Sequence, residues 1–90
     1  MNTTERLVAI ICDNSELDSE DIKPDSHLFE DLEMDSLDFV DITFAIDQEF
    51  AVTVPIEDWM QAIENGAETA EFFTFGKLLS FIEKQVDTAA

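Results

Sequence analysis

The stretch from residue 36 to residue 50 has apolar side chains at helical spacing around more of its circumference than one buried face requires. Asp35 precedes it and is a good N-cap, because its carboxylate can accept free backbone N–H groups of the first turn. We therefore predict a helix from about Ser36 to Phe50. One apolar stripe at this spacing suits the core and consists of Phe39, Ile42, Ile46 and Phe50.

A second apolar stripe, offset around the same helix, consists of Leu37, Val40 and Phe44. Because a helix in a small domain presents one face to the core, this stripe is either covered by a neighbouring segment or left exposed for a partner. Acidic residues flank it. The second stripe and these acids together predict a docking surface made of Asp38, Val40, Asp41, Phe44, Asp47 and Glu49, although the apolar members would also serve to complete the core.

The remaining chain divides into three further predicted helices. The first begins at an Asn2 or Thr3 cap and ends near Asp13 or Asn14. A long connection follows over 15–29, with one helical turn within 17–22 and apolar residues that pin it to the core. A third helix starts at Pro55 and ends at Asn65-Gly66.

The last helix is capped by Thr74 and follows a loop over 67–73. The terminal residues from about 87 are expected to form a flexible tail. Glycine and proline are scarce, at two each, which disfavours a turn-rich β fold. We predict an all-α fold, a small four-helix bundle without a sheet, with a long loop between the first and second helices, as a single domain over 1–90.

The charge balance restricts the partners. The chain has 22 acidic and 4 basic residues, a formal net charge of −18. Between Lys23 and Lys77 there are 14 acidic residues and no basic one. Nucleic acid is therefore excluded as a natural partner, and an anionic membrane would repel the chain. Such a field steers a protein toward basic patches on other proteins, or else serves solubility alone.

The sequence gives little support for a catalytic site or a metal-binding site. Ser36 lacks a base that the sequence marks as its partner, and the single histidine, His27, lies in the long loop. One cysteine and one histidine cannot form a zinc site, and no glycine-rich phosphate loop is present. Cys12 lies in an apolar helical pattern and is interpreted as a core residue. We therefore predict no catalytic residues, no metal and no enzymatic activity.

No membrane-length apolar run and no signal peptide is visible, so a soluble, cytoplasmic monomer is the expectation.

Residues 29–38 read Phe-Glu-Asp-Leu-Glu-Met-Asp-Ser-Leu-Asp and lead into the acidic helix. Glu49-Phe50 is followed by Val54-Pro55, and Thr74-Phe75-Gly76 opens the last helix. This run and these later landmarks, in this order, resemble the acyl carrier proteins over most of the chain. The short motif Asp35-Ser36-Leu37 alone would be weak, and the landmarks around it make the resemblance strong.

The resemblance implies that Ser36 carries a covalent 4′-phosphopantetheine, donated by coenzyme A through holo-acyl-carrier-protein synthase or another phosphopantetheinyl transferase. The terminal thiol of this arm would hold an acyl group as a thioester for fatty-acid or lipid synthesis enzymes with basic docking patches. A cleft for the acyl chain is expected among seven apolar residues, which are Phe39, Ile46, Trp59, Met60, Ile63, Phe75 and Leu79.

The chain departs from the family pattern in two places. Glu33 stands where many members have a glycine. The segment from Pro55 to Phe75 is longer than in common members and holds Trp59, Met60, Phe72 and Phe73, and we hypothesise that these residues extend the third helix and enlarge or reshape the cleft. A specialised carrier for long or hydroxylated chains, as for lipid A, would suit this. The alternatives are a carrier for polyketide or amino-acyl intermediates, and a non-covalent acidic interaction module in which Ser36 is only part of a cap.

Overall fold

The computed structural model describes residues 2–89, apart from the side chains of residues 36 and 87–89. Within that range the chain is helical and has no strand, which confirms the all-α prediction. A 3₁₀ turn covers Ser19–Asp21, where one helical turn was predicted. The helices are α1 (Thr3–Asp13), α2 (Ser36–Phe50), α3 (Ile56–Glu64), α4 (Ala70–Phe73) and α5 (Phe75–Ala89).

Two helices begin at the predicted side-chain caps. Asn2 Oδ1 accepts a hydrogen bond from the Glu5 N–H at 2.8 Å, and Asp35 Oδ1 accepts one from the Asp38 N–H at 2.8 Å. Each bond satisfies a donor that the first helical turn leaves without an intrahelical acceptor. Pro55 is the N-cap of α3, so the helix begins one residue later than predicted.

The core lies where α1, α2 and α5 meet. Its fully buried side chains include Leu7 and Ile11 from α1, Ile42 and Ile46 from α2, and Leu78 and Ile82 from α5. Phe39 is also buried, so the first α2 stripe faces the core as the spacing predicted. Burying one such side chain is worth about 1.5–3 kcal/mol.

The predicted loop over 67–73 is partly wrong, because residues 70–73 form the short helix α4. The hypothesis that the extra residues lengthen the third helix is also corrected, because α3 ends at Glu64 and α4 is separate from it. Phe73 is buried and Phe72 is half-buried, so this short helix packs onto the domain through two aromatic side chains. The tail expected from about residue 87 falls on side chains outside the described part and stays a prediction.

The long connection between α1 and α2 is fastened to the start of α5. Three backbone hydrogen bonds join residues 24–28 to residues 73–76: Leu28 N–H to Phe73 O at 2.7 Å, Phe75 N–H to Ser26 O at 2.9 Å, and Gly76 N–H to Pro24 O at 2.8 Å. An isolated antiparallel bridge pairs His27 with Thr74 at its centre. We call these two paired segments the clasp. It holds the long loop in place together with the buried side chains of Leu28, Leu32 and Met34.

Gly76 allows the clasp to close. A β-carbon at this position would lie 2.7 Å from the carbonyl oxygen of Pro24, closer than such atoms approach in proteins. The neighbouring atom belongs to the backbone and is itself held by the Gly76 N–H, so it cannot move aside without breaking that bond.

None of the helices within residues 2–89 is both long enough and apolar enough to span a membrane.

Because a β-carbon at position 76 would clash with the Pro24 carbonyl oxygen, Gly76→Ala should destabilise the protein by about 1–3 kcal/mol. This is the usual cost of forcing extra atoms into a packed site. Urea unfolding followed by circular dichroism measures the difference. Ser80→Ala, at an exposed position of the same helix, is the matched control and should stay within about 0.5 kcal/mol of the wild type. Equal midpoints for Gly76→Ala and the wild type would contradict the tight approach at the clasp.

Candidate functional site

Residue 36 is the first residue of α2, directly after the exposed cap Asp35. The Ser36 side chain lies outside the described part of the structure, so its predicted exposure stays a prediction. The backbone position is informative by itself. Residues three and four apart share a face of a helix, so position 36 lies one turn before Phe39 and Val40 on the same side of α2.

The backbone just before this helix start takes a path that glycine favours. Glu33 has φ 53°, in the left-handed region, which costs a residue with a β-carbon about 1–2 kcal/mol. Many members of the family that the chain resembles have glycine at this position, and glycine adopts the left-handed region without that cost. Met34 follows, is buried, and donates its N–H to Leu28 O at 3.1 Å, which holds the strained turn against the core.

His27 organises the loop that leads to Asp35. Its backbone oxygen accepts hydrogen bonds from the Asp31 and Leu32 N–H groups at 2.9 and 3.0 Å. Its backbone N–H donates to Asp31 Oδ2 at 2.7 Å. Its ring is buried, and Nδ1 accepts from the Phe29 and Glu30 N–H groups at 3.2 and 3.1 Å. The ring nitrogens are thus engaged in structural bonds, which argues against a role for His27 as a base.

The second α2 stripe is exposed. Leu37, Val40 and Phe44 have 75%, 40% and 65% of their surface accessible, so neither the core nor a neighbouring segment covers them. Among the flanking acids, Asp41 and Asp47 are exposed and Asp38 is half-buried. Met60 of α3 adds a fourth exposed apolar side chain, at 48%. Exposed apolar surface with an acidic rim is the composition expected of an interaction surface.

Glu49 is engaged differently from the other predicted docking acids. Arg6 of α1 donates from Nε to Glu49 Oε1 at 2.8 Å and from Nη2 to Glu49 O at 3.0 Å. The same guanidinium lies 4.6 Å from the centre of the Phe50 ring. Because its carboxylate already has a cationic partner, Glu49 is a poor choice for the docking surface. Its contact with Arg6 instead ties the start of α1 to the end of α2.

A pocket with a volume of about 470 Å³ opens beside the start of α2. It lies between Phe39 and Val40 of α2, the apolar side of α3, the loop after His27, and α4. Its size falls within the usual range for small-molecule sites. Apart from polar groups on one side, it is lined by Phe29, Phe39, Val40, Ile56, Met60, Ile63 and Phe73.

The structure brings three of the seven predicted cleft residues to this pocket, namely Phe39, Met60 and Ile63. The other four are not part of its lining. Ile46, Trp59 and Phe75 are buried in the core, and Leu79 packs half-buried against it. Val40, expected only at the docking surface, also lines the pocket. The docking surface and the pocket mouth therefore share Val40.

The predicted cleft omitted Phe29 and Ile56, and it included Phe73 only through the hypothesis that the extra residues after Pro55 reshape the cleft. Ile56 could have been assigned, because it begins the apolar stripe of α3. Phe73 lines this pocket from the short helix α4 and not from a longer third helix.

An aromatic cluster backs the pocket. The Phe73 ring meets Phe29 and Phe39 edge-on, with centroids 5.1 and 5.4 Å apart. Trp59 stacks on Phe72 at 5.5 Å and meets Phe73 at 5.9 Å. Such pairs add about 0.5–1.5 kcal/mol beyond burial. Of these aromatic side chains, Phe29, Phe39 and Phe73 line the pocket, and Trp59 and Phe72 pack against Phe73.

Cys12 shows no sign of activation. Burial, followed by the nearby carboxylates of Asp18, Asp13 and Asp21, raises the pKa of its thiol. The thiolate is the nucleophilic form, so these surroundings lower its reactivity at neutral pH. Among the described residues, no group of three or more His, Cys, Asp or Glu side chains could hold a metal ion.

Comparison with known proteins connects this site to a family. The family model of the phosphopantetheine attachment site matches residues 5–73. Acyl carrier protein AcpXL of Mesorhizobium japonicum is 46% identical over 88 residues, covering 96% of this chain and 95% of that protein. Acyl carrier protein AcpXL of Rhizobium meliloti is 45% identical over 83 residues, covering 91% and 87%. An acyl carrier protein of Helicobacter hepaticus is 34% identical over 58 residues, covering 64% and 76%.

The family match includes position 36 and the whole of α2 and α3, which are the elements that form the helix start, the exposed stripe and most of the pocket. The chain therefore belongs to the phosphopantetheine-attachment family, as an acyl carrier protein.

Proposed function

We propose that Ser36 is the attachment point of the 4′-phosphopantetheine arm that this family carries. The observation that carries the proposal is the family match over residues 5–73, in which Ser36 begins a helix capped by Asp35. A helix N-terminus favours a phosphate group, since its free N–H groups and the helix dipole both attract negative charge. When bound, the arm supplies a thiol that holds the acyl group as a thioester.

The pocket lies where an acyl chain on that arm could reach it. Position 36 is one turn from Phe39 and Val40, and both of these line the pocket. Each methylene of a chain that leaves water for such a site gains about 0.8 kcal/mol. We therefore propose that the chain shelters its cargo between α2, α3 and α4, with Met60 and Ile63 on the α3 side.

The cargo is proposed to be a long or hydroxylated acyl chain, as in lipid A synthesis. The relatives named AcpXL match nearly the whole chain, whereas the Helicobacter carrier matches 58 residues. The long segment after Pro55 also places Phe73 in the pocket's aromatic wall, with Phe72 packed beside it. Carriage of polyketide or amino-acyl intermediates would leave this wall without an evident role.

The docking surface is proposed to be the exposed stripe of Leu37, Val40 and Phe44 with the acids Asp38, Asp41 and Asp47 beside it. Its partners would be the phosphopantetheinyl transferase and acyl-handling enzymes that present basic residues around an apolar centre. In this proposal the protein performs no catalysis, acts as a monomeric single domain over residues 1–90, and works in the cytoplasm.

Ser36→Ala should abolish loading. Incubation of the apo-protein with coenzyme A, magnesium and a broad-specificity phosphopantetheinyl transferase should add the mass of one phosphopantetheine to the wild type and none to the variant. Intact-mass spectrometry measures the gain. Ser80→Ala, an exposed serine on α5, is the control and should load fully. A wild type that gains no mass would favour the non-covalent interaction module instead.

Asp41→Lys should lower kcat/KM of the transferase about tenfold or more, because it places a like charge opposite a basic patch and weakens electrostatic steering. Glu83→Lys makes the same charge change at an exposed position of α5 and should stay within about twofold of the wild type. Equal losses in the two variants would show that net charge alone matters, and would contradict a docking surface on α2.

A further inference from the structure

One side of the otherwise apolar pocket is polar. His27, Glu30 and Thr69 line it there, beside Phe29 and Phe73. The three polar side chains come from two segments that are distant in sequence. His27 and Glu30 belong to the α1–α2 loop, and Thr69 immediately precedes α4. None of the three was assigned a role from the sequence.

The hydrogen bonds of His27 determine where its proton lies. Nδ1 accepts from two backbone N–H groups, those of Phe29 and Glu30. The proton of the neutral ring must therefore be on Nε2. This nitrogen lies 3.0 Å from Thr69 Oγ1, so the ring donates and the threonine oxygen accepts. His27 is 5% exposed, and its ring is held by the loop around it, so this donor is fixed in place.

Thr69 is left with a hydroxyl proton to donate. Its oxygen is oriented by His27, and within residues 2–89 no acceptor is paired with its O–H. Its backbone is fixed as well, because its carbonyl oxygen accepts from the Phe72 and Phe73 N–H groups at 3.1 and 2.9 Å. The pocket thus contains one preorganised hydroxyl donor at its edge.

Glu30 adds an acceptor on the same side. Its Oε2 lies 3.9 Å from His27 Nε2, and the side chain is 75% exposed, so water or a ligand can reach it. A donor in Thr69 and an acceptor in Glu30, both close to one imidazole nitrogen, match a group that accepts and donates at once. An alcohol does both, whereas a ketone or ether oxygen only accepts.

We propose that Thr69 and Glu30, positioned around His27, bind a hydroxyl group on the acyl cargo. The alcohol oxygen accepts from the Thr69 hydroxyl, and the alcohol O–H donates a hydrogen bond to the Glu30 carboxylate. The proposal rests on the proposed function in taking the pocket's occupant to be an acyl chain, and it identifies the residues that select a hydroxylated chain. An unsubstituted chain would leave both polar groups to water.

The test uses the apo-protein and free probes, so that it does not depend on loading at Ser36. The probes are octanol and its isomer heptyl methyl ether, which has the same atoms and accepts but cannot donate a hydrogen bond. Binding is followed by ¹H–¹⁵N NMR through the amide signals of Thr69, Phe73 and Met60. Octanol should bind the wild type about 2- to 10-fold more tightly than the ether, the range expected for one net hydrogen bond at a partly exposed site.

Thr69→Val should weaken both probes by a similar factor, because the alcohol and the ether oxygen each accept from the Thr69 hydroxyl, and Thr69→Ser should bind both as the wild type does, because serine retains the hydroxyl. Glu30→Ala removes the acceptor without touching the His27–Thr69 bond and should bring the two probes to equal affinity, because only octanol can donate to Glu30. Thr53→Val, at an exposed threonine between α2 and α3, is the matched control and should behave as the wild type.

Equal affinities of the wild type for the two probes would overturn the proposal, as would a preference that survives in Glu30→Ala or affinities that Thr69→Val leaves unchanged. The proposal would also be overturned if neither probe shifted the amide signals of Thr69 and Met60, because the pocket would then not take a chain. Ser36→Ala should bind octanol as the wild type does, so a failure of loading at Ser36 would be distinguishable from a failure of this subsite.

Discussion

The paired backbone of residues 24–28 and 73–76 is the constraint on which the site depends. The α1–α2 connection is long, and such a segment needs bonds beyond its apolar anchors to hold one conformation. The clasp supplies three backbone hydrogen bonds, and Gly76 permits the close approach of Pro24. His27 lies at its centre and forms hydrogen bonds in two directions. Toward α2 it fixes the loop before Asp35, and toward α4 it bonds to Thr69.

This arrangement gives the pocket one rigid wall and one exposed mouth. Phe73 and Phe29, held by the clasp, stand behind the pocket, while Val40 and Met60 are exposed at its opening. Val40 also belongs to the stripe proposed to dock partner enzymes. A partner bound to that stripe would therefore contact the pocket mouth directly. In the proposed function, this shared residue places recognition of the carrier and release of its cargo at the same part of the surface.

Local sequence signals predicted the elements that depend on local physics. The bounds of α2, its Asp35 cap and its buried stripe all follow from helical spacing and capping chemistry. Counting more apolar positions than one face can bury left open whether Leu37 and Phe44 are covered or exposed, and the structure shows them exposed. The family resemblance supplied Ser36 and the cofactor. It also identified Glu33 as a departure from glycine, and the left-handed backbone at Glu33 explains why glycine suits this position.

The features that the sequence did not reveal depend on contacts between distant parts of the chain. The clasp joins residues about fifty positions apart, and no local pattern marks either segment as extended. Because α4 and the place of Phe73 depend on the clasp, the pocket lining was predicted only in part. The pairing of Arg6 with Glu49 is likewise long-range, and it changed the interpretation of an acid that its place beside the second stripe had assigned to docking.

The central claim is that the cargo lies in the pocket between α2, α3 and α4. Isotope-edited NOE spectroscopy of the protein loaded with a ¹³C-labelled acyl chain tests it most directly. If the acyl chain occupies this pocket, its terminal methylene and methyl protons should give NOEs to the Met60 methyl group, to Ile63 and to the Phe73 ring. NOEs instead to Val8 and Leu17, which line a separate groove beside Cys12, or to no side chain at all, would contradict it.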